Sequence, residues 1–261
     1  MEPTKKKMKT SVHALEKALD LLDYLERNGI PMGVRSLEAH TGIPKATVQR
    51  LLDVLENRGF VRKQNGKYSL WVGPVHLARA FMKGDPLTRV ALPVLKILVE
   101  ISKEPASLYV RQGTDRILIQ RVESPHPLRF QTPIGERLPL HLGASGQVLC
   151  AGMSDEELHT YILPFLPIKL ADGKILSEED FFKRVYQVRE RGFAIGINER
   201  YEGVTSVAAP VKIKNQGIIA AINIVGPSYR INQEKIEQFL LEIIGAAKEL
   251  SETYQNYVGD I

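Results

Sequence analysis

Between residues 34 and 71 the chain sets two short helical stretches about Gly42 and then two strand-like segments about Asn65-Gly66. That order constrains the fold more than any other feature. The first stretch opens at Val34 or Arg35 and runs to about His40; Gly42 sits where a tight turn needs it. Pro44 presets φ at the first position of the next helix, expected to reach Arg58. On that helix Val48, Leu51, Leu52 and Leu55 share one face. They should pack on a preceding helix from Ser11, whose stripe is Val12, Leu15, Leu19, Leu22 and Leu25 and which Asn28-Gly29 and Pro31 end. Gly59 stops the longer helix. Phe60–Lys63 and Lys67–Trp71 then flank Gln64-Asn65-Gly66, and Asn-Gly between strand-like runs is the strongest short-range hairpin signal. Two helices joined by a glycine turn and followed by a hairpin form a winged helix-turn-helix, expected over 11–72.

The outer face of the Pro44–Arg58 helix carries Ala46, Gln49, Arg50 and Asp53. Arg can read guanine and Gln adenine through the major groove, so Arg50 and Gln49 are candidate base readers. Lys45 and Thr47 suit phosphate contacts, which fix register without reading sequence. Arg35 joins the candidates for DNA contact, as do Arg62, Lys63 and Lys67 of the hairpin, which could reach a phosphate or the minor groove.

Charge placement agrees. Residues 1–84 hold 15 Lys and Arg against 8 Asp and Glu; residues 85–261 hold 20 against 22. The basic excess therefore sits in the first third, including a basic tail at 1–10. One module is suited to a polyanion, here operator double-stranded DNA, and the other to something else. The single cysteine, Cys150, excludes an intramolecular disulfide and a Cys-rich zinc site and fits a reducing cytoplasm. The apolar run Gly217–Gly226 is far shorter than the ~20 residues of a membrane helix, and no apolar stretch follows the basic N-terminus as in a signal peptide. A soluble cytoplasmic protein without a membrane partner is expected. His126, His141 and His159 lack metal-binding spacing, so no metal and no cofactor is expected.

Gly73-Pro74 breaks the chain, and a linker helix is expected within 73–86, with Val75, Leu77, Ala78 and Phe81 as its apolar positions. The second domain, 87–258, opens inside a helix from Pro86 to about Ser102. Strand patterns follow at Ser107–Arg111, Arg116–Val122 and Leu128–Thr132, then short helices at Ser145–Ala151 and Ser154–Leu163. Ser154 with Glu157 forms a capping-box pattern. A helix opened by Ser177 ends at Gly192; strands at Phe193–Asn198, Gly203–Ile213 and Gly217–Gly226 precede a last helix from Asn232 to Tyr254. Helices covering one sheet give an α+β sensor-like domain.

Over roughly residues 10 to 255 the chain resembles the IclR family of bacterial regulators. The resemblance rests on Thr41–Leu52, Leu138-Pro-Leu-His141 with Ala144-Ser145-Gly146, Arg191-Gly192-Phe193 with Glu199, Gly203 through Ala208-Ala209-Pro210-Val211, and Ala220–Pro227. It implies a winged-helix homodimer, often a homotetramer on DNA, and a GAF-like effector-binding domain with a central antiparallel sheet. By the same resemblance the effector pocket is lined at Ala144, Ser145, Gly196, Ser206, Asn223 and Val225. Two positions depart from the family pattern: Gln147 stands where Lys is common, and Gly196 matches an acidic residue of some pockets. Backbone N–H groups where Ser145 and Gly146 open a helix favour a carboxylate, so a small organic acid, aromatic acids included, is the expected effector. The competing reading is a sensor or hydrolase with Ser145 as nucleophile and no specific DNA target. His141-Leu-Gly-Ala-Ser-Gly146 suggests it, but the nucleophile-elbow pattern would need Gly where Gln147 stands. Cys150, alone in an apolar helix pattern, reads as core rather than as a redox thiol.

Overall fold

A computed structural model of the 261-residue chain describes residues 12–127 and 129–259. The basic tail, Ser11 at the expected start of the first helix, and Leu128 at the start of the expected third strand lie outside the described residues. The chain divides after Gly84 into two units.

In the first unit α1 (His13–Asn28), α2 (Val34–Thr41) and α3 (Lys45–Asn57) pack beside a three-stranded sheet. Its strands are β1 (Met32–Gly33), β2 (Val61–Gln64) and β3 (Lys67–Leu70), in the order β1-β3-β2. Gly42 ends α2 in the left-handed conformation, and the Glu38 carboxylate then accepts from Lys45 N at 2.7 Å, capping α3. Asn65 and Gly66 both have positive φ, as a tight primed hairpin turn demands. Leu21, Leu25, Leu37, Val48, Leu52 and Tyr68 form the centre of the core.

One expectation fails here. The α1 stripe is buried only at its C-terminal end: Leu21 and Leu25 are in the core, whereas Val12, Leu15 and Leu19 are more than half exposed. The helix outruns the elements of its own unit that could cover its first turns. The expected linker helix is α4 (Gly73–Gly84), which Gly73-Pro74 opens, consistent with the preference of proline for the first turn. No α4 residue is buried, and Val75, Leu77 and Phe81 are exposed.

The second unit is built on a six-stranded antiparallel sheet ordered β6-β5-β4-β11-β10-β9. Its strands are β4 (Ala106–Gln112), β5 (Asp115–Val122), β6 (Arg137–Pro139), β9 (Ala194–Ile197), β10 (Val204–Ile213) and β11 (Gly217–Pro227). Alternation along the strands gives two apolar faces. Leu108, Val207, Ala209, Ile222 and Ile224 pack with α5 (Pro86–Ser102) and α9 (Gln233–Gly259). Tyr109, Leu118, Ala208 and Ala221 join the core under α6 (Ala144–Ala151) and α8 (Glu178–Arg191), with α7 (Asp155–Tyr161) alongside. A small hairpin of β7 (Ile168–Lys169) and β8 (Ile175–Leu176) completes the unit.

The capping box at Ser154 and Glu157 and the left-handed Gly192 cap are present. The expected strand at 128–132 is not: residues 129–132 are loop, and the third strand of that meander is β6. Side chains rather than a neighbouring strand hold this segment. Arg121 donates to Phe130 O, and Arg129 to His126 O. The last helix also runs past Tyr254, to Gly259. Among the described residues no helix is long and apolar enough to cross a membrane.

Candidate nucleic-acid interface and ligand cavity

In the first unit, burial separates the two faces of α3. Val48, Leu52 and Leu55 are in the core, while Lys45, Ala46 and Arg50 are exposed and Thr47 and Gln49 half-buried. Arg50 lies along the helix, its Nε 3.3 Å from Ala46 O, with the side chain open to solvent. Gln49 is placed differently from a free base reader. Its Nε2 donates to Asp53 Oδ1 at 2.6 Å and to the buried Tyr68 hydroxyl at 3.0 Å. Reading adenine takes one amide hydrogen and the carbonyl together, so the hydrogen now on Asp53 or Tyr68 would first have to be released. Gln49 is thus a strut between α3 and the β2–β3 hairpin, which the Glu56 carboxylate also ties by accepting from Lys63 N at 3.1 Å.

Strand alternation divides the hairpin cations. Lys63 stands opposite Tyr68 with its Nζ 5.3 Å from that ring, on the side of Gln49. Arg62, opposite Ser69, lies on the other face with its guanidinium 4.2 Å from the Trp71 ring centroid; Lys67 shares that face. Arg35 is exposed at the start of α2.

The second unit holds a partly open cavity of about 50 Å3. All six residues expected from the resemblance, Ala144, Ser145, Gly196, Ser206, Asn223 and Val225, line it. Gly146 does not; it lies one residue deeper, where a Cβ would come within 2.2 Å of Leu140 O, so its role is close packing. Register explains the convergence: Ser206 pairs with Gly196 on one side and Val225 on the other, and Asn223 follows on the same face of β11.

At the start of α6 two N–H groups are already engaged. Gly143 N donates to Glu199 Oε2 at 2.6 Å, and Ala144 N points to Ser206 Oγ at 3.4 Å. Gln147 Nε2 and an Arg184 guanidinium nitrogen complete the Glu199 shell at 2.7 and 3.1 Å. Glu199, with a side chain 5% exposed, therefore takes the Gly143 N–H immediately before the Ser145 and Gly146 groups where an effector carboxylate was expected. Burial pushes its carboxyl above the usual range, against the lowering effect of the Gly143 N–H and Arg184.

Sequence reasoning missed the group that most defines the cavity. Arg116 is 4% exposed and donates to Pro139 O and Leu142 O, but its Nε has no partner, and it makes no ion pair among the described residues. Burial pulls its pKa down to about 10, so it stays charged at neutral pH. Its signal was available: a charged residue at the same strand parity as the inward-facing Leu118. Around the mouth, Phe130 and Tyr201 lie 5.5 Å apart, and Arg200 donates to the Tyr201 hydroxyl. Asn223 Oδ1 is buried and without a partner.

Ser145 Oγ has no hydrogen bond to a histidine or carboxylate among the described residues, so nothing in the geometry favours the hydrolase alternative. Burial pushes the Cys150 thiol up to about 12, which leaves it unreactive.

Residues 80–252 match the bacterial transcriptional regulator IclR C-terminal domain, and residues 14–65 match the IclR helix-turn-helix domain. The chain belongs to the IclR family. This IclR-family transcriptional regulator is 30% identical over 241 residues to the HTH-type transcriptional repressor AllR of Salmonella paratyphi A, covering 90% of this chain and 86% of that one. It is 30% identical over 229 residues to AllR of Escherichia coli K12, covering 85% and 83%. Among solved structures it is similar to an IclR transcriptional regulator of Silicibacter sp. TM1040, with TM-score 0.82, 24% identity and coverage of 93% and 96%. It is also similar to an IclR homologue of Microbacterium hydrocarbonoxydans complexed with 4-hydroxybenzoate, with TM-score 0.73, 20% identity and coverage of 92% and 98%. Both likenesses speak to the fold.

Proposed function

We propose that this IclR-family regulator binds an operator through the outer face of α3, as a homodimer or a pair of dimers, and that a small carboxylic acid in the cavity alters that binding. The observation that carries the ligand half is Arg116. A buried guanidinium with an unpartnered Nε and, among the described residues, no carboxylate in ion-pair contact is costly in an empty fold, and an anion in the adjoining cavity offsets that cost. Arg116, rather than the start of α6, is then the seat of the effector carboxylate.

For the DNA half, Arg50 is the base reader and Lys45, Thr47 and Lys63 hold phosphate, with Arg35, Arg62 and Lys67 flanking. Gln49 positions the hairpin. The exposed faces of α1 (Val12, Leu15, Leu19) and α4 (Val75, Leu77, Phe81) are covered by a second copy, as paired half-sites require. Both AllR relatives are repressors, which supports repression here.

The test is direct. A duplex selected from fragmented genomic DNA by the purified protein is titrated in the presence and absence of small carboxylic acids. An acid should change affinity by about 5- to 150-fold, a coupling of ~1–3 kcal/mol. Identical curves with every acid, or a response that persists in Arg116→Met, would refute the ligand half.

A further inference from the structure

The cavity says more about its ligand than that it is an acid.

The polar groups around it are unequally engaged. Ser206 Oγ lies between Ala144 N and Gly196 O, both at 3.4 Å. Glu199 already holds Gly143, Gln147 and Arg184. Asn223 is the exception. It is 5% exposed, it lines the cavity, and its Oδ1 has no hydrogen bond although Ser107 and Ala208 flank it in register. The Ser107 hydroxyl, which accepts from Arg121 at 2.9 Å, makes no hydrogen bond to it. Buried acceptors are normally paired, and one left open in a ligand cavity marks where a donor belongs. A carboxylate has no hydrogen to give.

We propose that the effector is an acid carrying an amide or amine N–H close to its carboxylate, with Asn223 accepting the N–H and Arg116 holding the carboxylate. This rests on the reading of Arg116 as the anion seat. A primary amide suits Asn223 at both ends, since its carbonyl can accept from Nδ2 while its N–H meets Oδ1. A keto acid meets only the first need.

Oxamate and pyruvate isolate the difference, being the same shape with NH2 in one and CH3 in the other. Calorimetric titration of the full-length protein should show oxamate binding about tenfold tighter than pyruvate, the scale for an unmet buried acceptor. In Asn223→Leu the two acids should bind within twofold of each other. In Arg116→Met both should be lost. Equal affinity in the wild type overturns the proposal and leaves the anion seat standing, as does a preference for oxamate that survives Asn223→Leu. Failure of both acids to bind the wild type overturns the proposal together with the reading beneath it. The wild-type comparison is decisive by itself should the leucine variant fail to fold.

Discussion

Replacing Arg116 by methionine separates a ligand seat from a structural strut. The guanidinium pKa is drawn down to about 10, chiefly by burial, which corresponds to a net electrostatic cost of about 3 kcal/mol in the ligand-free fold. Two donated bonds, to Pro139 O and Leu142 O, oppose it; bonds from a charged donor contribute about 1.5–3 kcal/mol each, less what the stranded carbonyls regain from repacking. Methionine keeps the length and apolar stem and removes both the penalty and the bonds. The opposing contributions are of the same size, so ligand-free stability should move by no more than about 2 kcal/mol, or several degrees in thermal midpoint for a unit of this length. Ligand response should change far more. An acid at a hundred times its Kd stabilises the wild type by about 2.7 kcal/mol, and that increment should vanish in the variant. Thermal unfolding of both proteins, with and without oxamate, reads the two quantities together. A variant still stabilised by the acid as much as wild type refutes the assignment. So does a variant that loses more than about 4 kcal/mol without ligand, since Arg116 would then serve the fold.

Three further outcomes are expected. Burial raises the Glu199 pKa, so its contribution to stability is full below the ordinary carboxylate range and is lost as pH rises through the raised native value. Relative to wild type, Glu199→Gln should therefore gain stability between the ordinary carboxylate range and neutrality; a constant difference across denaturation curves in that window would contradict the burial argument. Tyr68→Phe removes the hydroxyl that accepts from Gln49 and should cost about 1 kcal/mol in chemical denaturation, with most of that loss absent when Gln49 is already Ala. Additive losses in that cycle would show the strut to be idle. Leu15→Glu and Phe81→Glu should each lower the association state seen by sedimentation without unfolding the first unit; an unchanged sedimentation coefficient in both would place the dimer contact elsewhere.

The DNA-binding unit was legible because its signals are local. Gly42, Pro44, Gly59 and Asn65-Gly66 each act within a few residues, and the structure keeps all four turns. What periodicity could not say was what covers an apolar stripe. Val12, Leu15 and Leu19 repeat as a core face does, yet all three are more than half exposed. The cavity shows the same limit in another form. Ala144, Gly196, Ser206 and Asn223 could be placed by resemblance, but the link between Glu199 and the α6 start spans 56 residues. A helix N-terminus looks like an anion site from sequence; only coordinates show that the chain supplies its own anion. Arg116 was hidden because a charged residue in a strand ordinarily faces water.

The proposition beneath the whole account is that α3 presents its polar face to a base edge, and Arg50 tests it most directly. Fluorescence anisotropy of wild type and Arg50→Ala on the genomically selected duplex and on a scrambled duplex of equal length, at one fixed salt concentration, gives four affinities. The account predicts a loss of about 1–3 kcal/mol on the selected duplex and almost none on the scrambled one. Equal losses on both would mean that Arg50 touches only phosphate, and the assignment of α3 as the reading element would be wrong.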